Sequence, residues 1–150
     1  MEFIVIMFLI LANGVLSMSE ISLVSLRKSK IRTEADKGNM AAKSALKLSE
    51  DPDKFFSTVQ IGITLIGILT GIYSGDALAG DFAIFLEKIG MPQSSSLLAA
   101  QTVIVVAATY LTLIFGELIP KRIGFAAPEQ VAKIIAAPML LLSKVAHPFV

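Results

Sequence analysis

The sequence predicts an all-α integral membrane protein with at least three transmembrane helices, and three observations carry that reading. Hydrophobic residues make up 55% of the 150, and mean hydropathy is +0.76, with apolar runs too long for the helices of a soluble core. Residues 96–115 form a 20-residue stretch without a single charge, the length needed to cross the hydrocarbon of a bilayer. Residues 27–54, between the first two apolar runs, hold eight Lys or Arg against five acids, the bias of a loop retained on the cytoplasmic side.

The first span is expected within residues 1–26. Glu2 stands where a signal peptide would carry basic residues, and no small-residue cleavage site follows, so the segment reads as a retained helix. Its second half is studded with serines. Asn13, Ser17 and Glu20 recur at i, i+4 and i+7, which places them on one face. A polar face on a lipid-compatible helix turns toward the bundle interior, to bond a neighbouring helix or to line an ion path. Glu20 lies near enough to Arg27 and Lys28 to be an interfacial acid instead. Residues 27–54 combine their charges with Ala35, Ala41, Ala42, Ala45, Leu46 and Leu48, enough helical propensity for one or two helices along the membrane surface. With this loop cytoplasmic, the N-terminus is outside and the C-terminus inside.

The second span is expected at residues 56–72. Ser57, Gln60, Thr64, Gly67, Gly71 and Ser74 follow 3-4-3-4-3 spacing, a stripe permitting close approach of another helix. Gly62, Gly67 and Gly71 predict a kinked or partly unwound segment. Residues 73–95, with Asp76, Asp81 and Glu87 against Lys88 alone, read as an external loop. The third span is expected at residues 96–116, with Lys121 and Arg122 marking its return to the cytoplasm and Tyr110 as a core-packing aromatic. Residues 117–150 contain Lys133, Pro138, Lys144, His147 and Pro148. A broken amphipathic helix in the interface suits these residues better than a fourth span, although hydropathy alone leaves both open.

Composition excludes much chemistry. There are no cysteines and the one histidine is His147, so thiolate sites, disulfides, zinc clusters and Ser/His triads have no material. A net charge of +1 offers nothing to nucleic acid, and no enzyme activity is expected. The informative stretch is Gly116-Glu117-Leu118-Ile119-Pro120-Lys121. Pro120 has no N–H and disrupts the bond to the carbonyl four residues back, leaving the Gly116 oxygen free beside the Glu117 carboxylate. An acid at membrane depth next to irregular backbone is a functional candidate.

Asn13-Gly14 with Leu16-Ser17-Met18-Ser19-Glu20, then Thr58-Val59-Gln60-Ile61-Gly62-Ile63-Thr64, then Gly116-Glu117-Leu118-Ile119-Pro120-Lys121 resemble the transmembrane domain of the CNNM/CorC magnesium-transport family, in its bacterial hemolysin-like branch. The resemblance covers essentially the whole chain. It implies three transmembrane helices, a cytoplasmic helix pair after the first and a juxtamembrane helical belt after the third, in a bacterial plasma membrane. It also implies a homodimer exporting Mg2+, with Na+ as the proposed coupling ion, and an ATP-binding CBS pair with a small C-terminal domain beyond residue 150; no ATP site is expected within this chain. The family's ion-site residues map onto Ser17, Gly62 and Glu117, to which the Gly116 carbonyl beside Pro120 adds a fourth metal-ligand candidate, with Asn13, Glu20, Gln60 and Thr64 as further candidates. Ile63 departs from the pattern, since many members have a ligating asparagine there. The alternative function is a non-transporting membrane anchor and dimerisation module for a cytosolic regulatory domain.

Overall fold

The computed structural model describes residues 2–146, in which all regular structure is helical: α1 (Glu2–Val24), α2 (Lys28–Asp36), α3 (Met40–Glu50), α4 (Pro52–Lys88), α5 (Gln93–Leu113), a π-turn (Ile114–Leu118), α6 (Ile119–Ala126) and α7 (Pro128–Ala146). Three helical rods, α1, α4 and the continuous run Gln93–Ala126, are long and apolar enough to cross a membrane. His147 and Pro148 lie outside the described residues.

The short helices α2 and α3 form the helix pair after the first span. Gly38 between them has φ +95°, a backbone conformation open to glycine and costly for other residues. Its N–H donates to the Ala35 carbonyl and the Asn39 N–H to that of Glu34. Asn39 then caps α3 by accepting from the Ala42 N–H at 3.2 Å, so one Gly-Asn step ends one helix and starts the next.

The second span needs correction. Instead of ending at residue 72 and giving way to an external loop over 73–95, α4 continues to Lys88, with no unwound turn at Gly62, Gly67 or Gly71. At 1.5 Å per residue it is about 55 Å long, against about 30 Å of hydrocarbon. Packing overrides the loop-like composition here. Ala79 and Ala83 meet Ala100 of α5, flanked by Phe82, Leu86 and Ile104, and the Ser96 hydroxyl donates to Glu87 Oε1 at 2.7 Å. The connection is only residues 89–92, turned by Gly90 at φ +104°.

The third span also runs on further than expected. Pro120 does not end the rod at residue 116, because the π-turn absorbs the missing bond and α6 carries the helix to Ala126. Tyr110 is 62% exposed rather than packed in a core. The segment after the third span does break, at Ala127 between α6 and α7, while Pro138 lies inside α7 without ending it.

The main core lies at the end of the molecule that carries α2, α3 and α7. Leu16, Leu23, Ile31, Leu48, Phe55, Val59, Ile135 and Met139 are among its buried members. Thus α7 is a belt around the ends of α1 and α4. Two charged contacts fasten it. Lys133 Nζ donates to Glu34 Oε2 at 2.7 Å. Glu129, almost fully buried, takes Arg27 at 3.2 Å and Lys30 at 3.8 Å; the Arg27 contact is an ion pair without hydrogen-bond alignment. By contrast α5 turns Leu98, Val106 and Leu113 outward, as a lipid-facing helix does.

Two predictions follow from these contacts. A methyl group at Gly124 would lie 2.6 Å from the Met18 carbonyl oxygen and 2.5 Å from Ile21, and backbone cannot give way as a side chain can. Gly124→Ala should therefore destabilise the protein by about 1–3 kcal/mol, read as a lower unfolding midpoint in detergent; an unchanged midpoint would show that α1 and α6 separate freely. Second, the hydrogen bond from Lys133 holds the Glu34 carboxyl below its usual range. A lowered carboxyl pKa contributes stability above the unfolded value, about 4.3, and that contribution is lost as pH falls through the folded one. Amide exchange in α7 should speed up below about pH 4 beyond the ordinary pH effect, and Glu34→Gln should remove part of that increment.

Candidate functional site: a polar seam between the first and third spans

Gly14, Gly116 and Gly124 let α1 lie against the π-turn and α6 at backbone distance. A Cβ on Gly116 would sit 3.1 Å from the Ile10 carbonyl oxygen, and one on Gly14 would sit 3.0 Å from the Pro120 ring and 3.2 Å from the Phe115 carbonyl oxygen. The π-turn begins at Ile114, whose carbonyl accepts from the Ile119 N–H five residues on. Pro120 then offers no donor at all. Such an insertion turns carbonyls away from the helix axis and is frequent at functional sites.

The Gly116 carbonyl is not free, as the sequence suggested. Asn13 Nδ2 donates to it at 3.0 Å across the buried contact. That amide leaves its own oxygen unmatched: Asn13 Oδ1 is buried with no hydrogen-bond partner, and so is Ser17 Oγ one turn further along α1. Asn13 is 4% exposed and Ser17 1%. Burying a polar atom unpaired costs free energy, about 1–3 kcal/mol per group, so two on one face of one helix require an explanation. The neighbouring serines do not share the condition, since Ser19 donates to the Leu16 carbonyl and Ser22 to that of Ser19.

Toward the basic end of the seam lies an ion triad. Lys121 Nζ is 2.8 Å from Glu117 Oε1 and 3.6 Å from Glu20 Oε2, all three side chains being about one-third exposed. A primary ammonium therefore sits between carboxylates of two different helices. Lys121 was not singled out from the sequence, although its i, i+4 spacing from Glu117 carried the signal.

The structure brings Asn13, Gly116, Glu20 and Glu117 to one seam, with Ser17 on the same face of α1. Gly62 reaches α1 from the other side, its Cβ position lying 2.7 Å from a Leu16 methyl, and Ile63 packs on the adjoining core. Gln60 and Thr64 are elsewhere. Both are exposed, in an open groove with Ile61, Leu65 and Ile68 on the outer side of α4. Of the expected polar stripe, Ser57 and Gly67 are likewise exposed, and only Ser74 is buried. Among the described residues no three acidic or imidazole side chains converge as a metal cluster.

A three-span helical membrane domain with a polar seam held by glycine contacts is thus the class of protein in hand. Residues 4–150 match the family described as Cyclin M transmembrane N-terminal domain, CNNM, and the chain belongs to it. A UPF0053 protein of Synechocystis sp. is 44% identical over all of this chain and 34% of its own length. Proteins named polyamine export protein are similar too: that of Escherichia coli (strain K12) is 37% identical, and that of Salmonella typhimurium 38%, each over 97% of this chain and 32% of its own length. The chain spans about a third of the length of these curated relatives.

The Asn13 amide is the donor that pays for the irregular backbone. Asn13→Ala should strand the Gly116 carbonyl in a buried seam and lower stability by about 1–3 kcal/mol. Asn13→Asp, ionised, should do no better because it supplies no donor. Unfolding in mixed detergent would measure both, and a loss below about 0.5 kcal/mol would mean that water replaces the amide.

Proposed function

We propose that this chain is the membrane-embedded cation path of an exporter, and that its substrate is an organic polycation carrying primary ammonium groups. The observation that carries the reading is the pair of buried, unpartnered oxygens on Asn13 and Ser17 above a carboxylate pair already bridged by an ammonium, that of Lys121. A primary ammonium has three N–H donors and no need of octahedral geometry, so hydroxyl, amide and carboxylate oxygens on one seam are sufficient acceptors. It also has no need of an oxygen at position 63, where Ile63 offers none. The names of the Escherichia coli and Salmonella relatives point the same way.

On this reading the cation enters by exchanging with Lys121 at Glu20 and Glu117, passes Ser17 and Asn13, and leaves when the helices rock about the seam. The role is transport rather than catalysis. The N-terminus faces outside on this reading, which the basic residues of α2 and α3 support. A second copy packs on the outer side of α4 and α5, where Ser57, Gln60, Thr64 and Gly67 leave a small and polar surface suited to helix contact. A regulatory CBS pair belongs to the longer protein, as the greater length of the relatives allows.

A second reading is Mg2+ export with Na+ as the coupling ion. It is favoured by the mixed oxygen set of Ser17, Gly116, Glu117 and Asn13, because Mg2+ keeps several waters and accepts few protein ligands. Flux in proteoliposomes separates the two. Radiolabelled 1,4-diaminobutane should be released by the wild type and at least about tenfold more slowly by Glu117→Gln and Ser17→Ala, the loss expected where one charged or hydrogen-bonded contact of about 1.4 kcal/mol is removed. Mg2+ flux without diamine flux would overturn the polyamine reading in favour of the metal. Neither flux, with neither cation bound, would leave a membrane anchor and dimerisation module.

A further inference from the structure

A second polar site lies away from the seam, where the C-terminal end of α3, the start of α4 and the last turns of α7 meet. Lys47, Lys54 and Lys144 surround a cavity of about 200 Å³ whose apolar lining is Leu48, Phe55 and Leu140. Lys47 and Lys144 are exposed and Lys54 is half-buried, so the three cations ring the open mouth of the cavity, where their summed charge favours entry of an anion. Among the described residues the ion pairs engage other cations: Arg27, Lys30, Lys121 and Lys133. Asp51 is the one acid in the lining, and its Oδ1 accepts from the Lys54 N–H at 3.4 Å to cap α4. The cavity therefore carries a formal excess of two positive charges. Ser143, 8% exposed, adds a hydroxyl to the wall.

We infer that this cavity binds the phosphate headgroup of an anionic phospholipid from the leaflet on the side of α2 and α3. Its depth in the membrane selects a lipid over a free anion. Residues 55–75 are uncharged, so the hydrocarbon begins at Phe55, and Lys54 and Asp51 stand at headgroup level immediately before it. Lysines take phosphate as compact point charges on flexible stems. Leu48, Phe55 and Leu140 face the glycerol and first methylenes, which free phosphate does not possess. Basic pockets between helices at this level are sites for anionic headgroups. Since the same lipid touches α3, α4 and α7, it ties the belt to the second span.

The test is native mass spectrometry of the purified chain titrated with phosphatidylglycerol or phosphatidylcholine. The wild type should retain phosphatidylglycerol in preference to phosphatidylcholine. The triple variant Lys47→Gln, Lys54→Gln, Lys144→Gln should bind it on the order of 100-fold more weakly, taking about 1 kcal/mol per lysine. Lys47→Arg, Lys54→Arg, Lys144→Arg should retain it. A control triple, Arg32→Gln, Lys37→Gln, Lys43→Gln, removes the same charge from exposed positions on the same side and should bind as the wild type does. An equal loss in the control, no preference in the wild type, or displacement of the lipid by millimolar inorganic phosphate would each overturn the assignment.

Discussion

The hydrogen bond from Asn13 to the Gly116 carbonyl, 3.0 Å long and buried, is the interaction on which the arrangement of the spans depends. Proline at position 120 denies a donor to the preceding turn, and a bilayer offers no water to replace it. The chain answers twice. The helix loosens into a π-turn, and a neighbouring helix brings an amide to the exposed oxygen. That amide reaches only because Gly14 and Gly116 remove the side chains that would hold the helices apart. Backbone irregularity, glycine placement and one asparagine are therefore a single device.

The device then dictates what else lies along the contact. With α1 fixed against the π-turn and α6, the next polar residues of its face, Ser17 and Glu20, must lie beside the third rod. Glu20 there meets Lys121, itself one turn beyond Glu117. The apolar core sits away from the bilayer centre, under the belt of α7, where Ile31, Ala35, Ala42, Ala132 and Ala136 are almost completely buried. This division follows from the solvent. Lipid gives apolar side chains no reason to hide, so the spans rely on close backbone contact and polar bonds, while the belt is held by ordinary hydrophobic burial and ion pairs.

Hydropathy and charge made the three spans legible, because each rests on composition over many residues, whereas the helix pair and the belt helix after the third span came from the family resemblance. Composition misled at residues 73–88, where acids and glycines resemble a loop but Ala79, Ala83 and Ala100 pack a helix. Alanine contact between distant segments leaves no local trace. Position 120 misled for a related reason: proline announces a lost bond, and only the fold reveals whether the helix ends or swells. The spacing of Gln60 and Thr64 identified a face of α4 but not the direction it turns, and it turns outward. Asn13, Ser17 and Glu20 were legible as one face, whereas the role of Lys121 required seeing both acids beside it.

The substrate question turns on Ile63 more than on the ion triad. Lys121 and Glu117 belong to the motif by which the chain resembles its family, so their pairing does not by itself distinguish one cation from another. Ile63 stands where many members carry an oxygen ligand, on the turn of α4 that Gly62 presses against Leu16. A metal ion loses a ligand by that change and must recruit water. On the proposed polyamine reading an alkylammonium loses nothing, because its N–H groups need only the oxygens of Asn13, Ser17 and the acids. The proposed substrate therefore needs no oxygen at position 63, whereas a metal ion would.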